Sequence, residues 1–376
     1  MNTTSISRRK FAQLLGVGAA AAVVRPRLSF AKPTQSAATS LTSDGNIVRL
    51  SANENPYGPS QKALQAMTDS FGRACRYPDD HNNGLIDKLA KLNNADRDQI
   101  LLGDGSGEIL KLCAETFTGP QNGNLVVADP TFEAIVSGAT ANGAEVVKVP
   151  LTSSFAHDLG KMLAASKGGG LIYICNPNNP TASITPKAEL RDFIANTPPA
   201  TTILVDEAYF HYADTPDYES VVALAKEHPN LIVSRTFSKI YGMAGIRCGY
   251  CVAQKETIEK MRRNQMWDSV NCMALAAAAA SIDDLDHVSN HQRLNKEAKT
   301  FTTSELSRMG YKVIPSQANF IMFDCKRPVV PLIAAMKEQN IRVGRLFPAL
   351  PNYMRLTIGK KSEMEAFLAA FREIMA

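Results

Sequence analysis

Short apolar runs alternate with longer stretches of helical periodicity over most of this chain. Residues 125–128, 145–149, 171–175, 203–206, 231–234 and 249–253 are runs of four or five residues rich in β-favouring types. Several are apolar on both faces, as strands of a parallel sheet covered by helices must be. Helix-sized stretches such as 107–117 and 186–196 lie between them. The alternation predicts an α/β domain over 76–285. An Ala-rich helix is expected at 273–281. From about 292 the texture changes. A long polar helix runs to 309, followed by short strands at 312–314 and 320–324. A helix at 330–339, strands at 341–343 and 354–358 and a last helix from Lys361 complete it. These elements predict a smaller α+β domain over 286–376, which the segment 47–75 is expected to join. No internal repeat or heptad run is present.

The first 46 residues follow neither pattern. Ser7-Arg8-Arg9-Lys10-Phe11 is a basic opening, residues 14–24 are small and apolar, and Ser29-Phe30-Ala31 offers small residues for a signal peptidase. The apolar stretch is too short to span a bilayer. Residues 1–31 therefore read as an export signal. The paired arginines with Phe11 look like a twin-arginine signal, a route that carries folded proteins. An uncleaved arm or a membrane anchor is the plainer alternative. Residues 32–46 are expected to be a flexible tether, and the mature chain a periplasmic protein delivered by the twin-arginine machinery. Of the 41 basic residues, five lie in 1–31, which holds no acid; the other 36 match the 36 acids. The net charge of +5 thus belongs to the leader and gives no sign of nucleic-acid binding. A composition of 45% hydrophobic and 20% charged residues excludes collagenous, disordered and disulfide-stapled chains. Seven cysteines are an odd number, several in apolar runs, and most are expected to be buried free thiols. Cys248-Gly-Tyr-Cys251 has no second pair and no His partner, so no metal site is expected.

Three stretches carry the chemistry, each after a predicted strand. In Ser234-Arg-Thr-Phe-Ser-Lys239, two hydroxyl residues precede a lysine, and a glycine-containing turn leads to Arg247. Hydroxyls and an arginine so close can hold a phosphate beside an amine that forms a covalent bond. Asp206 ends a buried strand, where ligands sit in open α/β sheets; a carboxylate there can keep a pyridine nitrogen protonated, and Tyr209 can reach a ring hydroxyl. Asn176-Pro177-Asn178-Asn179-Pro180-Thr181 is a rigid turn that presents an amide. Taken singly, these are an ordinary loop lysine, a helix N-cap and a β-turn. Their order makes chance implausible.

Together they resemble the fold-type I pyridoxal-phosphate aminotransferases, most closely the histidinol-phosphate aminotransferase family. The likeness extends over about 47–376. Asn53-Glu54-Asn55-Pro56, Arg76-Tyr77-Pro78, Gly103-Asp-Gly-Ser-Gly107, Asp129-Pro130-Thr131-Phe132 and Arg355-Leu-Thr-Ile-Gly359 agree with it. The resemblance implies a large domain with a mainly parallel central sheet and a small α+β domain. It implies pyridoxal 5'-phosphate as cofactor and amino-acid and 2-oxo-acid substrates. Lys239 would hold the cofactor covalently and move the proton, and Asp206 would pair with the pyridine nitrogen. Tyr209 and Asn179 would reach the ring oxygen, and Phe132 would stack on the ring. Gly105, Ser106, Thr236, Ser238 and Arg247 would bind the phosphate, with Tyr77 reaching it from the other subunit of a homodimer. Arg355 would take the substrate carboxylate, with Arg345 and Asn55 also on the substrate side. Ala182 stands where the family has Gly, which is expected to shift that turn slightly. A decarboxylase or lyase of the same fold is the alternative, since it uses the same parts. A cofactor-binding regulator would need an appended DNA-binding domain.

Overall fold

A computed structural model describes residues 47–376; the expected leader and tether lie outside the described residues. Seven strands form the central sheet: β2 (Ile100–Gly103), β3 (Leu125–Asp129), β4 (Val146–Pro150), β5 (Leu171–Cys175), β6 (Thr202–Asp206), β7 (Leu231–Thr236) and β8 (Gly249–Val252). A two-residue strand, β1 (Val48–Arg49), precedes them. The spatial order is β2-β8-β7-β6-β5-β3-β4. Strands β3 to β7 pair in parallel, and β8 is antiparallel to both its neighbours.

Alternate residues of β5 explain why its sequence is apolar throughout. Ile172 and Ile174 join one core cluster, and Leu171, Tyr173 and Cys175 another. The helix Cys272–Ile282 supplies Leu275 to the first; Ser106–Phe117 supplies Ile109 and Leu112 to the second. Burying both faces leaves the strand ends as the place where polar chemistry can collect.

The C-terminal part contains β9 (Phe320–Asp324), β10 (Ile341–Arg342) and β11 (Tyr353–Thr357). β9 pairs antiparallel with β11, and β10 parallel with β1. Phe323, Phe367 and Phe371 form an aromatic nucleus there, with Phe367 and Phe371 stacked. The long helix begins at Leu285 rather than 292.

Three expectations need correction. Ile100–Gly103 is a strand that the apolar pattern did not single out. The strand expected at 312–314 does not form as an element. Asp324 and Ile314 still donate across to Lys312 and Met322, but Pro315 has no N–H and ends the pairing. Segment 47–75 divides its allegiance: Val48 and Leu50 join the C-terminal core, whereas the helix Gln61–Ser70 buries Ala63 in the core of the central sheet. Ala63 and Met67 pack in that core while Leu64 stays exposed, so only the first residues of the segment join the small part. Ala182 adopts φ 59, the left-handed region that favours glycine. Among the described residues no helix is long and apolar enough to cross a membrane.

Candidate active site

The ends of β5, β6 and β7 open onto a cavity of about 280 Å³. A larger surface cleft of about 460 Å³ lies beside Trp267 and Asn82, and none of the predicted residues lines it. The smaller cavity is lined by Lys239, Asp206, Tyr209, Asn179 and Phe132, together with Ser106, Thr236, Ser238, Arg247 and Arg355.

Asp206 is the last residue of β6 and is buried. Its carboxylate accepts from Tyr173 Oη at 2.9 Å, Ser234 Oγ at 3.1 Å and the Ala208 amide at 3.2 Å. Burial raises its pKa, while these donors and the Lys239 charge oppose the rise. A carboxylate so held fits a cationic ring nitrogen. Ser234 lies directly opposite Asp206 in the β6–β7 register.

Lys239 follows β7, and its Nζ donates to the Asn53 carbonyl at 3.1 Å. The residue keeps some exposure, yet desolvation of its amine, helped by the Arg355 charge, lowers its pKa to about 8. Tyr209 is buried, and burial pushes its phenol up, so it remains a proton donor at neutral pH.

The phosphate contacts expected from sequence converge. Gly105 precedes the helix Ser106–Phe117 at φ 73, and no side chain caps that helix. A Cβ on Gly105 would meet Arg247 Nη2 at 2.1 Å, so only glycine lets the guanidinium lie against the helix start. Gly249 likewise leaves room for the Ser106 amide, which a Cβ would meet at 2.3 Å. Arg247 donates to Ser238 Oγ at 3.4 Å, and Thr236 Oγ1 donates to the same oxygen at 2.9 Å. A helix N-terminus, a guanidinium and two hydroxyls form a set suited to a dianionic phosphate. With Asp206 for a ring nitrogen and an amine between, the residues fit pyridoxal phosphate.

Arg355, on β11, donates to Asn179 Oδ1 at 2.7 Å and to the Ser51 carbonyl at 2.5 Å. Its Nε is buried without a partner, and desolvation lowers its pKa. Since Asn179 Oδ1 is engaged there, Nδ2 is the atom left to reach a ring oxygen.

Three predicted residues lie away from the cavity. Asn55 donates to the Ile240 carbonyl at 2.8 Å and faces His291 Nδ1 at 2.9 Å. It braces the chain next to Lys239 and does not line the substrate space. Arg345 forms an ion pair with Glu133, next to Phe132, and packs over Phe347 at 4.4 Å. Tyr77 is 84% exposed. Asn53, quoted above only as a landmark, lines the cavity and touches both Lys239 and Tyr209. Tyr173 was read as core alone; its distance of three positions from the following Asn176 turn gave no hint of its hydroxyl's partner. Among the described residues no cluster of His, Cys, Asp and Glu could hold a metal.

Residues 45–371 match the model of the family "Aminotransferase class I and II". The chain is 37% identical over 335 residues to a histidinol-phosphate aminotransferase of Moorella thermoacetica, covering 88% of this chain and 86% of that protein. It is 35% identical to histidinol-phosphate aminotransferase 2 of Pseudomonas fluorescens, covering 92% and 94%. In structure it is similar to the histidinol-phosphate aminotransferase of Sinorhizobium meliloti in complex with pyridoxal-5'-phosphate, with TM-score 0.81, 26% identity, and 87% and 90% of the two chains covered.

Proposed function

The chain belongs to the class I and II aminotransferases, and from that premise we propose which residues carry its reaction, which substrates they select and where the enzyme works. It is a pyridoxal-phosphate-dependent transaminase that moves an amino group from an amino donor to a 2-oxo acid. When bound, the cofactor supplies an aldehyde that accepts the amino group and a protonated ring that draws electrons from the substrate Cα.

Lys239 would hold the cofactor through its amine and, when free, would carry the proton to and from the substrate Cα. Its lowered pKa suits a base that must be neutral near physiological pH. Asp206 holds the ring nitrogen protonated, with Tyr173 and Ser234 fixing both carboxylate oxygens. Tyr209 and Asn179 Nδ2 serve the ring oxygen, and Phe132 covers the ring. Ser106, Gly105, Thr236, Ser238 and Arg247 hold the phosphate. The observation that carries this reading is the cavity that brings Lys239, Asp206 and Arg355 together.

Arg355 takes the substrate's α-carboxylate as a charge-assisted pair. An anionic far end reaches Arg345, where it competes with Glu133 for the guanidinium. Relatives named for histidinol phosphate support a phosphorylated substrate; aromatic and acidic amino acids are the other candidates. Export argues against histidinol phosphate itself, because histidine biosynthesis is cytoplasmic. Losing a charge-assisted bond costs about 1.5–3 kcal/mol. Arg355→Ala should therefore weaken every amino-acid substrate. Arg345→Ala should weaken only those with an anionic far end. Equal losses for alanine, phenylalanine and glutamate with Arg345→Ala would remove the side-chain role given to it.

The active unit is a homodimer in which Tyr77 serves the phosphate of the other subunit. The exposure of Tyr77, Phe71, Met266 and Trp267 supports a covered face. Residues 76–285 form the cofactor-binding domain and 286–376 the small one. Residues 1–31 direct the folded, cofactor-loaded enzyme to the periplasm by the twin-arginine route.

A further inference from the structure

Asn53 is almost wholly buried at φ 54, a left-handed conformation that Asn tolerates better than most residues. Each of its polar groups is engaged. Its backbone N–H donates to Thr357 Oγ1 at 2.9 Å, and Thr357 Oγ1 donates back to Asn53 Oδ1 at 3.1 Å. Its Nδ2 donates to Tyr209 Oη at 3.1 Å. Its carbonyl accepts from Lys239 Nζ and from Asn319 Nδ2, each at 3.1 Å.

Proton bookkeeping along this chain fixes every direction. Thr357 receives the Asn53 N–H and gives its one hydroxyl proton to the Asn53 side chain. The amide atom facing it is therefore the oxygen, and the atom facing Tyr209 is the NH₂ group. An NH₂ group can only donate, so the phenol oxygen accepts there and must point its own proton elsewhere. Tyr209 lines the cavity.

We infer that Asn53, oriented by Thr357, is a positioning residue that aims the Tyr209 phenolic proton into the cavity, at the ring oxygen of the cofactor. This rests on the reading of Tyr209 as a ring-oxygen partner. The strand end at Thr357 thereby reaches the cofactor through two side chains without touching it. The bonds described are all non-covalent, and no proton leaves its heavy atom.

The test is the pH titration of the absorbance of the Lys239-bound cofactor, in holoenzyme. A ring oxygen that loses its donor holds the proton of the lysine linkage more strongly, so the midpoint rises. Losing a bond to a charged group corresponds to about one to two pH units. Asn53→Asp keeps the left-handed backbone and the Thr357 bond but presents only an acceptor to Tyr209, turning the phenolic proton away. The added charge also raises the midpoint, so the variant is measured again in a Tyr209→Phe background. A charge acts equally in both backgrounds, whereas the relay acts only where the phenol exists. We expect the shift caused by Asn53→Asp to be smaller by about one unit in Tyr209→Phe. Equal shifts in the two backgrounds overturn the inference. A Tyr209→Phe midpoint identical to the unmodified enzyme overturns the ring-oxygen reading beneath it instead. Should Asn53→Asp not fold, Thr357→Val and Thr357→Ser decide the matter. Valine frees the amide to flip and raises the midpoint, and serine restores it. An unmoved midpoint in Thr357→Val contradicts the relay.

Discussion

Lys239 is held in a state unusual for a lysine, and its chemistry can be read through pH. Desolvation is the largest cause of its lowered pKa, followed by the charge of Arg355. Only the neutral amine attacks an aldehyde. The rate at which cofactor-free enzyme captures pyridoxal phosphate should therefore rise with pH to a plateau above about 8. Arg355→Gln removes a cation and should move that midpoint upward. A stopped-flow pH series checks both; a midpoint unmoved by Arg355→Gln contradicts the electrostatic account. Lys239→Ala should still bind the cofactor through the phosphate contacts, yet show no absorbance from the lysine linkage and no turnover. Normal turnover by that variant would end the assignment of its role. At this scale the sequence brought to one cavity the candidate groups that lie at or a few residues past a strand end, as with Asp206, Asn179 and Lys239. Asn53 was less legible because its partners, Tyr209 and Thr357, are brought to it by folding and are remote in the chain. Arg345 was placed by the family resemblance, which does not say that Glu133 reaches its guanidinium.

A buried ion pair ties β7 to the residue that follows β6. Arg235 donates through Nε and Nη2 to Glu207 Oε2 at 3.0 and 2.9 Å, and its guanidinium packs over Phe210 at 3.9 Å. Glu207 also accepts from Ser220 Oγ and from the Val221 amide. Each of these charges is next in sequence to a group that serves the site, Asp206 or Thr236. Removing one partner of a buried pair leaves the other uncompensated and costs about 3–5 kcal/mol. Glu207→Gln should lose stability of that order in urea unfolding. The double change Glu207→Leu with Arg235→Met should cost less than the single one. A single change that costs under about 1 kcal/mol contradicts this view of the pair. The parallel strands were visible in the sequence because burial on both faces demands unbroken apolar runs. Ile100–Gly103 was not, since four residues ending in glycine carry too little pattern to separate a strand from a buried turn. Segment 47–75 was assigned whole to the small domain because its sequence does not say that the helix Gln61–Ser70 packs into the core of the central sheet.

On the scale of the whole molecule, the proposed export signal and homodimer are open to direct tests on this aminotransferase. Mixing inactive Lys239→Ala chains with inactive Tyr77→Ala chains should restore part of the activity in heterodimers, because one site then regains both groups. Sedimentation of a fully active monomer contradicts a shared site. Arg8→Lys with Arg9→Lys keeps the positive charge but removes the arginines, and should leave active, cofactor-loaded enzyme in the cytoplasm. Unchanged periplasmic delivery means the leader is read by another route. The alternation of strands and helices made the architecture of the body legible, whereas neither a second subunit nor a compartment is written in hydrophobic periodicity. The most direct measurement of the central claim is a half-reaction: holoenzyme is mixed with an amino donor in the absence of any 2-oxo acid. The account predicts one equivalent of 2-oxo product per site, with the cofactor recovered as pyridoxamine phosphate and the amino group returned on adding an acceptor. Release of carbon dioxide with the cofactor recovered as pyridoxal phosphate would contradict it.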